Sequence, residues 1–203
     1  MDSGNRALYA LLDLRNAQTN EAGRHAVDAQ IRQRFGAVRA VLIGDMSGFS
    51  RMTQDRGILH FLALIRRMQA LLLPVVERHG QLTKWEADNI YASFPHASAA
   101  VQAAVEMLQA CDDYNETVEP AWEIGMSFGI GYGTVLDLDG HDYYGDEVNL
   151  ASKLGEDLAN RGEVLITQAA ADTATLPGGR FLEEHSVRIS GLSLPYYSLE
   201  LVK

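Results

Sequence analysis

Residues 38–50 read VRAVLIGDMSGFS, and this stretch sets the centre of the sheet that we predict for the chain. The run over residues 38–44 is almost continuously apolar, which indicates a strand buried on both faces of a sheet. Asp45 follows at the point where the predicted strand emerges into a turn. Residues 47–50 are mostly small, so their backbone N–H groups can approach an anion closely. We therefore predict a carboxylate and an anion cradle at one end of a central strand.

Helical and strand-like patterns alternate after this stretch. Apolar residues recur at helical spacing over residues 58–79, and residues 82–94 form a hairpin pattern around Glu86 and Ala87. The remaining predicted elements are helices over residues 97–111 and 147–159 and strands over residues 122–135, 164–167, 181–189 and 195–202. This β-α-β-β-α-β order predicts an α+β fold, a ferredoxin-like core with C-terminal additions. Its sheet is mainly antiparallel and carries helices on one face.

Residues 1–37 differ from the remainder, residues 38–203, which we assign to a single domain. Helical patterns over residues 7–12 and 26–35 are separated by a polar stretch, and Gly36 is predicted to end the second helix. We interpret this N-terminal helical segment as a helical hairpin packed on the domain or on a second copy of the chain. A signal-receiving role with a regulatory partner is the alternative.

Composition narrows the class of function. The 203 residues suffice for one well-packed domain plus an appendage. A net charge of −10 repels phosphate backbones, so we predict no nucleic-acid partner. The single cysteine, Cys111, fits a reducing compartment. No apolar run approaches the roughly 18–20 residues that span a bilayer, so we expect no membrane span and a cytoplasmic location.

The hairpin carries a second polar string, Lys84-Trp85-Glu86-Ala87-Asp88. Lys84 lies four residues before Asp88 across a tight turn, where it can donate to a base acceptor such as adenine N1. Asp45 and Asp88, if folded beside each other, would suit magnesium. Substrate phosphates and waters would complete the coordination shell of the ion. Such a pair serves two-metal phosphoryl transfer. Taken alone, the string fits a surface Lys–Asp pair better, worth about 0–1 kcal/mol.

A third string, DYYGDEVNLASK, covers residues 142–153. Asp142 is a natural acceptor for an exocyclic amine such as adenine N6. Asp146 can cap a helix that carries Asn149 and Lys153, which share one helical face because they are four residues apart. An amide and a cation on one face can hold a ribose and a phosphoryl oxygen. Alone, the pattern equally fits the polar face of an ordinary helix.

The three strings together, in this order and spacing, resemble the catalytic domain of class III nucleotidyl cyclases. That family has a metal-binding aspartate followed by an isoleucine- or methionine-like residue, a small residue and Gly-Phe-Thr/Ser, as over residues 45–50 here. A lysine, two variable residues and Gly-Asp come next, in the place of residues 84–88. The family then has an aspartate, a Gly-Asp, a Val-Asn, and an arginine four residues beyond the asparagine, as over residues 142–153. The match extends over residues 38–202, most of the chain.

The resemblance implies a role for each matched residue in binding metal and triphosphate. Asp45 and Asp88 would bind two Mg²⁺ or Mn²⁺ ions, with the carbonyl of Met46 assisting. The triphosphate would be cradled by the backbone of Gly48 and Phe49 and by the hydroxyl of Ser50.

The resemblance also implies the substrate and the reaction. Lys84 and Asp142 would select adenine, since guanylate cyclases usually carry glutamate and cysteine at these positions. Asn149 would orient the ribose, and Lys153 would stabilise charge on the α-phosphate. The implied activity is adenylate cyclase, which converts ATP to cyclic AMP and pyrophosphate at sites shared across a head-to-tail homodimer.

The chain departs from the family pattern at four positions. Lys153 replaces the arginine and loses its bidentate fork. Ala87 replaces the glycine before Asp88, and Glu86 adds a carboxylate beside Lys84. Ser190 stands where the family often has a lysine that touches the distal phosphates, and Arg188 on the same predicted strand face would substitute for it.

These departures affect turnover more than the binding of metal or ATP. We therefore keep a second hypothesis, a catalytically weak cyclase-homology domain that binds ATP or a partner as a regulatory module.

Overall fold

The computed structural model of the chain describes residues 3–48, 56–176, 182–189 and 192–200. Its helices are α1 Ser3–Asn16, α2 Glu21–Phe35, α3 Ile58–His79, α4 Ala97–Asn115, α5 Asp146–Ser152 and α6 Gln168–Ala171. A π-helical turn, Lys153–Leu158, continues α5, and Pro120–Trp122 form a 3₁₀ turn. Its strands are β1 Gly36–Met46, β2 Gln81–Glu86, β3 Asn89–Phe94, β4 Met126–Asp137, β5 Tyr143–Tyr144, β6 Val164–Thr167, β7 Leu182–Ile189 and β8 Leu192–Leu199.

These strands form one sheet in the order β2-β3-β1-β4-β6-β8-β7, with β5 paired to β4. Only the β4–β6 pair is parallel among the described strands, so the predicted mainly antiparallel sheet is confirmed. β1 lies between β3 and β4, as its continuous apolar run predicted. It extends past the predicted end, because pairing with β4 continues through Asp45 and Met46. Asp45 therefore sits inside the strand, opposite Ser127.

The two long helices, α3 and α4, cover one face of the sheet. Their apolar side chains join the even-numbered residues of β1, such as Leu42 and Met46, in the main core. The shorter helix α5 and the π-turn lie against the other face, where Val41, Ile43 and Ala151 form a second cluster. This side of the sheet carries the odd-numbered residues of β1, and therefore Asp45.

Glycines on β4 let this second layer approach closely. A Cβ atom added at Gly129 would lie 2.0 Å from the carbonyl oxygen of Ala151. One added at Gly131 would lie 2.4 Å from the carbonyl oxygen of Glu147. The alternate glycines of this strand thus seat the backbone of α5 directly on the sheet, which holds its side chains in a defined position over β1 and β4.

The helix α3 has a dual character. By length and composition it is the one helix among the described residues that could cross a membrane. One of its faces is buried in the main core through Phe61, Leu64, Met68 and Leu72, as in a core helix of a globular domain. The absence of a membrane span stays a prediction.

The N-terminal helices form the predicted hairpin, and they pack on the chain's own sheet. Leu8, Val27, Ile31 and Phe35 form a separate cluster with Leu138, just beyond β4. Gly36 ends α2 as predicted, since it is the C-cap and its N–H donates to the carbonyl oxygen of Arg32, and its φ of −66° and ψ of 123° already lead into β1. The boundary between residues 1–37 and 38–203 stays a prediction.

A cavity of about 690 Å³ lies between this hairpin and the sheet, lined by Arg15, Asp28, Arg32 and Asp146 among others. It is larger than the cavity described below, but Asp45, Lys84, Asp142 and Asn149 do not line it. We therefore place the chemistry elsewhere.

Candidate active site

Asp45 lies partly buried near the end of β1. Burial, and then the nearby charges of Asp88 and Glu156, raise the pKa of its carboxyl to about 6. Carboxylates that repel one another in a partly desolvated place are stabilised when a cation enters. The structure thus brings together the two predicted metal aspartates, and it adds a third carboxylate that the sequence patterns did not indicate.

Asp88 lies in the tight turn between β2 and β3, as the hairpin pattern predicted. Ala87, which precedes it, has a φ of 52°, in the left-handed region that glycine adopts most readily. The alanine departure therefore does not prevent the turn. It makes the turn strained, at a cost on the order of 1 kcal/mol.

Asn89 follows Asp88 and supplies a test of whether a metal fits here. Its Oδ1 is buried and has no hydrogen-bond partner, while its Nδ2 donates to Glu156 Oε1 at 3.1 Å. A buried acceptor without a donor beside two carboxylates suits a hard cation or one of its waters. The described residues contain no group of three or more His, Cys, Asp or Glu side chains arranged as a complete metal site. Mg²⁺ needs no such group, since one or two carboxylates and substrate phosphates suffice.

The residues after Asp45 form the predicted turn as far as the structure describes them. Met46 buries its side chain in the main core, so only its main chain is left for a ligand. Ser47 N–H donates to the carbonyl oxygen of Gly125 at 2.9 Å, and Gly48 turns the chain with a φ of 94°. Phe49 and Ser50 lie outside the described residues, so their predicted contact with the triphosphate stays a prediction.

A second part of the site is a cavity of about 350 Å³ between β1, β3, β5 and α5. Three of the predicted residues line it: Lys84, Asp142 and Asn149. Lys84 Nζ lies 3.3 Å from Asp142 Oδ1 and 3.6 Å from Glu86 Oε2. The two residues that the resemblance assigns to base recognition are thus neighbours, although 58 positions separate them in the chain.

Tyrosines fix the position of Asp142. Its Oδ1 accepts a hydrogen bond from the backbone N–H of Tyr143 at 3.0 Å, and its Oδ2 accepts one from the hydroxyl of Tyr144 at 3.4 Å. The Tyr143 hydroxyl is itself paired with Ser93 Oγ at 2.8 Å inside the second cluster. A carboxylate held in this way presents its oxygens to the cavity in a set direction.

Tyr91 joins the two parts of the site. Its ring lines the cavity, with Lys84 Nζ 4.9 Å from the ring centroid, a cation–π distance. Its hydroxyl donates to Glu156 Oε1 at 2.8 Å. Burial, and then the carboxylate of Glu156, raises the pKa of Tyr91 to about 12, so the hydroxyl keeps its proton and remains a donor.

Lys153 stands apart from the cavity. Its ammonium pairs with Asp157, four residues on, in an exposed ion pair. It is not among the described residues that line the cavity with Asn149. Asp146, predicted to cap α5, is instead its first residue, and Gly145 occupies the N-cap position.

Arg188 lies on β7, where it pairs with Ser193 of β8. Its side chain and the whole of Ser190 fall outside what the structure describes. The predicted contact of Arg188 with the distal phosphates therefore stays a prediction.

The patterns in the sequence missed Asn89, Tyr91 and Glu156. Asn89 could have been found, because an amide directly after a metal-binding aspartate is a candidate oxygen ligand. Glu156 carries no such signal, since only the π-turn directs it towards β3.

The comparisons with known proteins agree with this geometry. The family model of the adenylate and guanylate cyclase catalytic domain matches residues 82–200. No curated protein sequence matches the chain significantly.

Solved cyclase structures have the same fold. The adenylate/guanylate cyclase/hydrolase from Silicibacter pomeroyi is 26% identical, with a TM-score of 0.64 over 81% of this chain and 95% of that one. The guanylyl cyclase Cya2 is 17% identical, with a TM-score of 0.69 over 81% of this chain and 92% of that one. The adenylyl cyclase CyaB from P. aeruginosa is 18% identical, with a TM-score of 0.67 over 83% and 96%.

Both adenylyl and guanylyl cyclases are thus among the structural neighbours, so the fold does not separate the two substrates. The family match covers more than half of the chain and includes the hairpin, Lys84, Asp142 and α5, while β1 with Asp45 precedes it. The chain belongs to the adenylate and guanylate cyclase catalytic domain family, the class III nucleotidyl cyclases.

Proposed function

We propose that this chain is an adenylate cyclase, which converts ATP to cyclic AMP and pyrophosphate. The observation that carries the proposal is the pairing of Lys84 with Asp142, 3.3 Å apart, in a cavity that Asn149 also lines. This arrangement supplies one donor and one acceptor for the edge of a base, together with an amide for a sugar.

The donor and acceptor match adenine. Adenine presents an acceptor at N1 and a donor amine at N6, which complement the ammonium of Lys84 and the carboxylate of Asp142. Guanine in the same orientation presents a donor at N1 and an acceptor at O6. Each contact would then oppose like with like, and the site would discriminate against guanine by repulsion as well as by lost hydrogen bonds.

The carboxylate part of the site suits the phosphate chemistry. Asp45 and Asp88 would hold two divalent cations, Mg²⁺ or Mn²⁺, and the main chain of Met46 would assist. Bound cations would supply charge neutralisation on the triphosphate and would lower the pKa of the attacking hydroxyl.

The reaction forms one phosphorus–oxygen bond and breaks another. The ribose 3′-oxygen attacks the α-phosphorus, the bond from that phosphorus to the bridging oxygen breaks, and pyrophosphate leaves. The hydroxyl proton passes to solvent. Asn149 would orient the ribose for in-line attack, and Lys153, once released from Asp157, would stabilise charge on the α-phosphate.

A head-to-tail homodimer would complete the site. Among the described residues that line the cavity, neither Asp45 nor Asp88 is present. In this arrangement the metal-binding aspartates of one chain act on a nucleotide whose base lies in the cavity of its partner.

The test is a nucleotide cyclase assay on the purified chain with ATP or GTP and with Mg²⁺ or Mn²⁺. We expect cyclic AMP from ATP, with GTP a poorer substrate. Asp45→Ala should abolish the product, while Asp113→Ala, an exposed change on α4, should leave it unchanged. Activity with GTP alone would replace the adenylate assignment, and absence of any product above that of Asp45→Ala would refute the enzyme.

A second candidate is a catalytically weak cyclase-homology domain that binds ATP or a partner as a regulatory module. The placement of Lys153 favours it, because this cation is engaged by Asp157 outside the cavity. ATP binding without turnover, measured by calorimetry, would support it. A cytoplasmic location and a regulatory partner of the N-terminal helices remain predictions.

A further inference from the structure

Glu156 occupies an unusual place in the chain. It lies in the π-turn Lys153–Leu158. Backbone hydrogen bonds in such a turn join residues five apart, one more than in an α-helix. The turn crosses the sheet so closely that a Cβ at Gly155 would lie 2.3 Å from the carbonyl oxygen of Ile43. The carboxylate of the next residue is thereby directed to the region between α5 and β3, beside the metal-binding aspartates.

Three hydrogen bonds hold this carboxylate. Oε1 accepts from Asn89 Nδ2 at 3.1 Å and from the Tyr91 hydroxyl at 2.8 Å. Oε2 accepts from Ser152 Oγ at 2.7 Å, one helical turn earlier. A carboxylate that accepts from three donors on two elements is fixed in place, and it fixes those donors in return.

Two of the donors that Glu156 holds, Asn89 and Tyr91, lie on β3, the strand that follows the turn carrying Asp88. Asn89 is the next residue, and its unpaired Oδ1 is directed away from the bond to Glu156. Ala87, on the other side of Asp88, has the strained φ of 52°. The strain at Ala87 disfavours this conformation of the turn. The hydrogen bond from Asn89 to Glu156, on the other side of Asp88, stabilises it.

From this geometry we propose that Glu156 is a positioning residue of the metal site. It anchors the β3 side of the turn through Asn89 and Tyr91, so that Asp88 and Asn89 Oδ1 are preorganised beside Asp45. The proposal rests on the metal-dependent function proposed above. Since partners that orient metal ligands typically contribute about 10–100-fold to affinity, removal of the anchor should weaken metal binding without removing the ligands themselves.

The experiment measures Mn²⁺ binding to the nucleotide-free chain by the electron paramagnetic resonance signal of free Mn²⁺. It compares the native chain with Glu156→Ala and Glu156→Gln. Glu77→Gln on α3 is the charge-matched control. Glu77 is exposed and lies shortly before the start of β2, whereas the Asp88 turn follows the end of that strand. Melting temperatures establish that each variant is folded.

We expect Glu156→Ala to weaken Mn²⁺ binding at least about tenfold. Glu156→Gln should lose less, because its amide oxygen still accepts from Asn89 or Tyr91. In the cyclase assay, excess Mn²⁺ should restore Glu156→Ala and should not restore Asp45→Ala, while KM for ATP at saturating Mn²⁺ stays unchanged. Native affinity in both Glu156 variants would overturn the anchor.

Equal losses in the Gln and Ala variants would assign the effect to charge alone and would also overturn the anchor. If Glu156→Ala fails to fold, Glu156→Gln decides by itself: a measurable loss of Mn²⁺ affinity of less than about tenfold supports the anchor, and native affinity or a larger loss overturns it. If Asp45→Ala binds Mn²⁺ as tightly as the native chain does, the proposed function and the anchor are both refuted. The two failures are therefore distinguishable.

Discussion

The carboxylate end of the site and the base cavity solve the same electrostatic problem in opposite ways. In the cavity, Lys84 and Asp142 neutralise each other at 3.3 Å. At the carboxylate end, Asp45, Asp88 and Glu156 share one sign of charge, and the pKa of Asp45 is raised to about 6. The cavity is balanced before its ligand arrives, whereas the carboxylate end reaches balance only with cations.

We therefore expect substrate specificity to depend on the cavity and activation by metal to depend on the carboxylate end. A paired donor and acceptor can be exchanged for those of a base at little net electrostatic cost, which suits selection between similar bases. An unbalanced group of carboxylates gains most from added positive charge, which suits control by metal.

The largest effect on activity is expected when the carboxylate end and the cavity are inactivated in separate chains that are then mixed. Asp88→Ala and Asn149→Ala should each lose activity by about 10²–10³-fold or more, since each removes one half of every site. Mixing the two inactive chains should restore about a quarter of native activity, because about half of the dimers are mixed and each has one intact site. The measurement is cyclic AMP formation as a function of the mixing ratio.

The control for mixing is Asp88→Ala combined with Asp45→Ala. Both changes disable the same half, so this mixture should remain inactive. No recovery in the first mixture would show that the two parts act within one chain, and recovery in the control would show that Asp45 and Asp88 of one site come from different chains.

The next effect concerns the cavity alone. Lys84→Glu with Asp142→Cys should shift the ratio of kcat/KM for ATP over GTP by at least about tenfold towards GTP, about 1.4 kcal/mol. Mn²⁺ affinity measured without nucleotide should stay the same, because the carboxylate end is untouched. An unchanged substrate ratio in a folded, active double variant would contradict base recognition by this pair.

A comparable but graded effect is expected from pH at the carboxylate end. The folded pKa of Asp45, about 6, lies above its ordinary value of 3.8, so the carboxyl gains its proton as pH falls through 6. Between pH 7 and pH 5 the ionised fraction should drop roughly tenfold, and Mn²⁺ affinity should fall with it.

Acidification should change the free energy of unfolding in the opposite direction to the Mn²⁺ affinity. Since the folded pKa is the higher one, the ionised carboxyl of Asp45 costs stability above pH 6, and that cost disappears as pH falls towards the unfolded value. The metal-free chain should therefore lose this cost on acidification, whereas the affinity of the chain for Mn²⁺ should fall over the same pH range. Calorimetric titrations with Mn²⁺ at several pH values would check the first effect, and a constant affinity from pH 7 to pH 5 would contradict it.

The smallest effect concerns the strain beside Asp88. Ala87→Gly should raise the free energy of unfolding by up to about 1 kcal/mol, because glycine adopts a φ of 52° without a steric cost. Ala110→Gly within α4 is the matched control and should lower it by about as much. Denaturant unfolding curves give both values. A loss of stability in Ala87→Gly would show that the turn is not strained in solution.

The cavity and the carboxylate end also differ in how far residue patterns could predict them. Lys84, Asp88, Asp142 and Asn149 were found because strings of the right residue types recur at the right spacing. The order of elements followed from apolar periodicity, which gave α3 its bounds at Ile58 and His79. The pattern failed at the end of β1, where pairing with β4 outlasts the apolar run.

The amino-acid sequence by itself determined the strand centre and the alternation of elements, and it indicated the two aspartates proposed to bind metal and the Lys84 and Asp142 proposed to bind a base. Local periodicity and residue chemistry suffice for these. Only the tertiary structure decided that Lys84 meets Asp142, that Lys153 pairs with Asp157 outside the cavity, and that Glu156 holds the Asp88 turn. Such contacts depend on strand register and on one π-turn, which no local pattern encodes, because they arise where distant segments pack against each other.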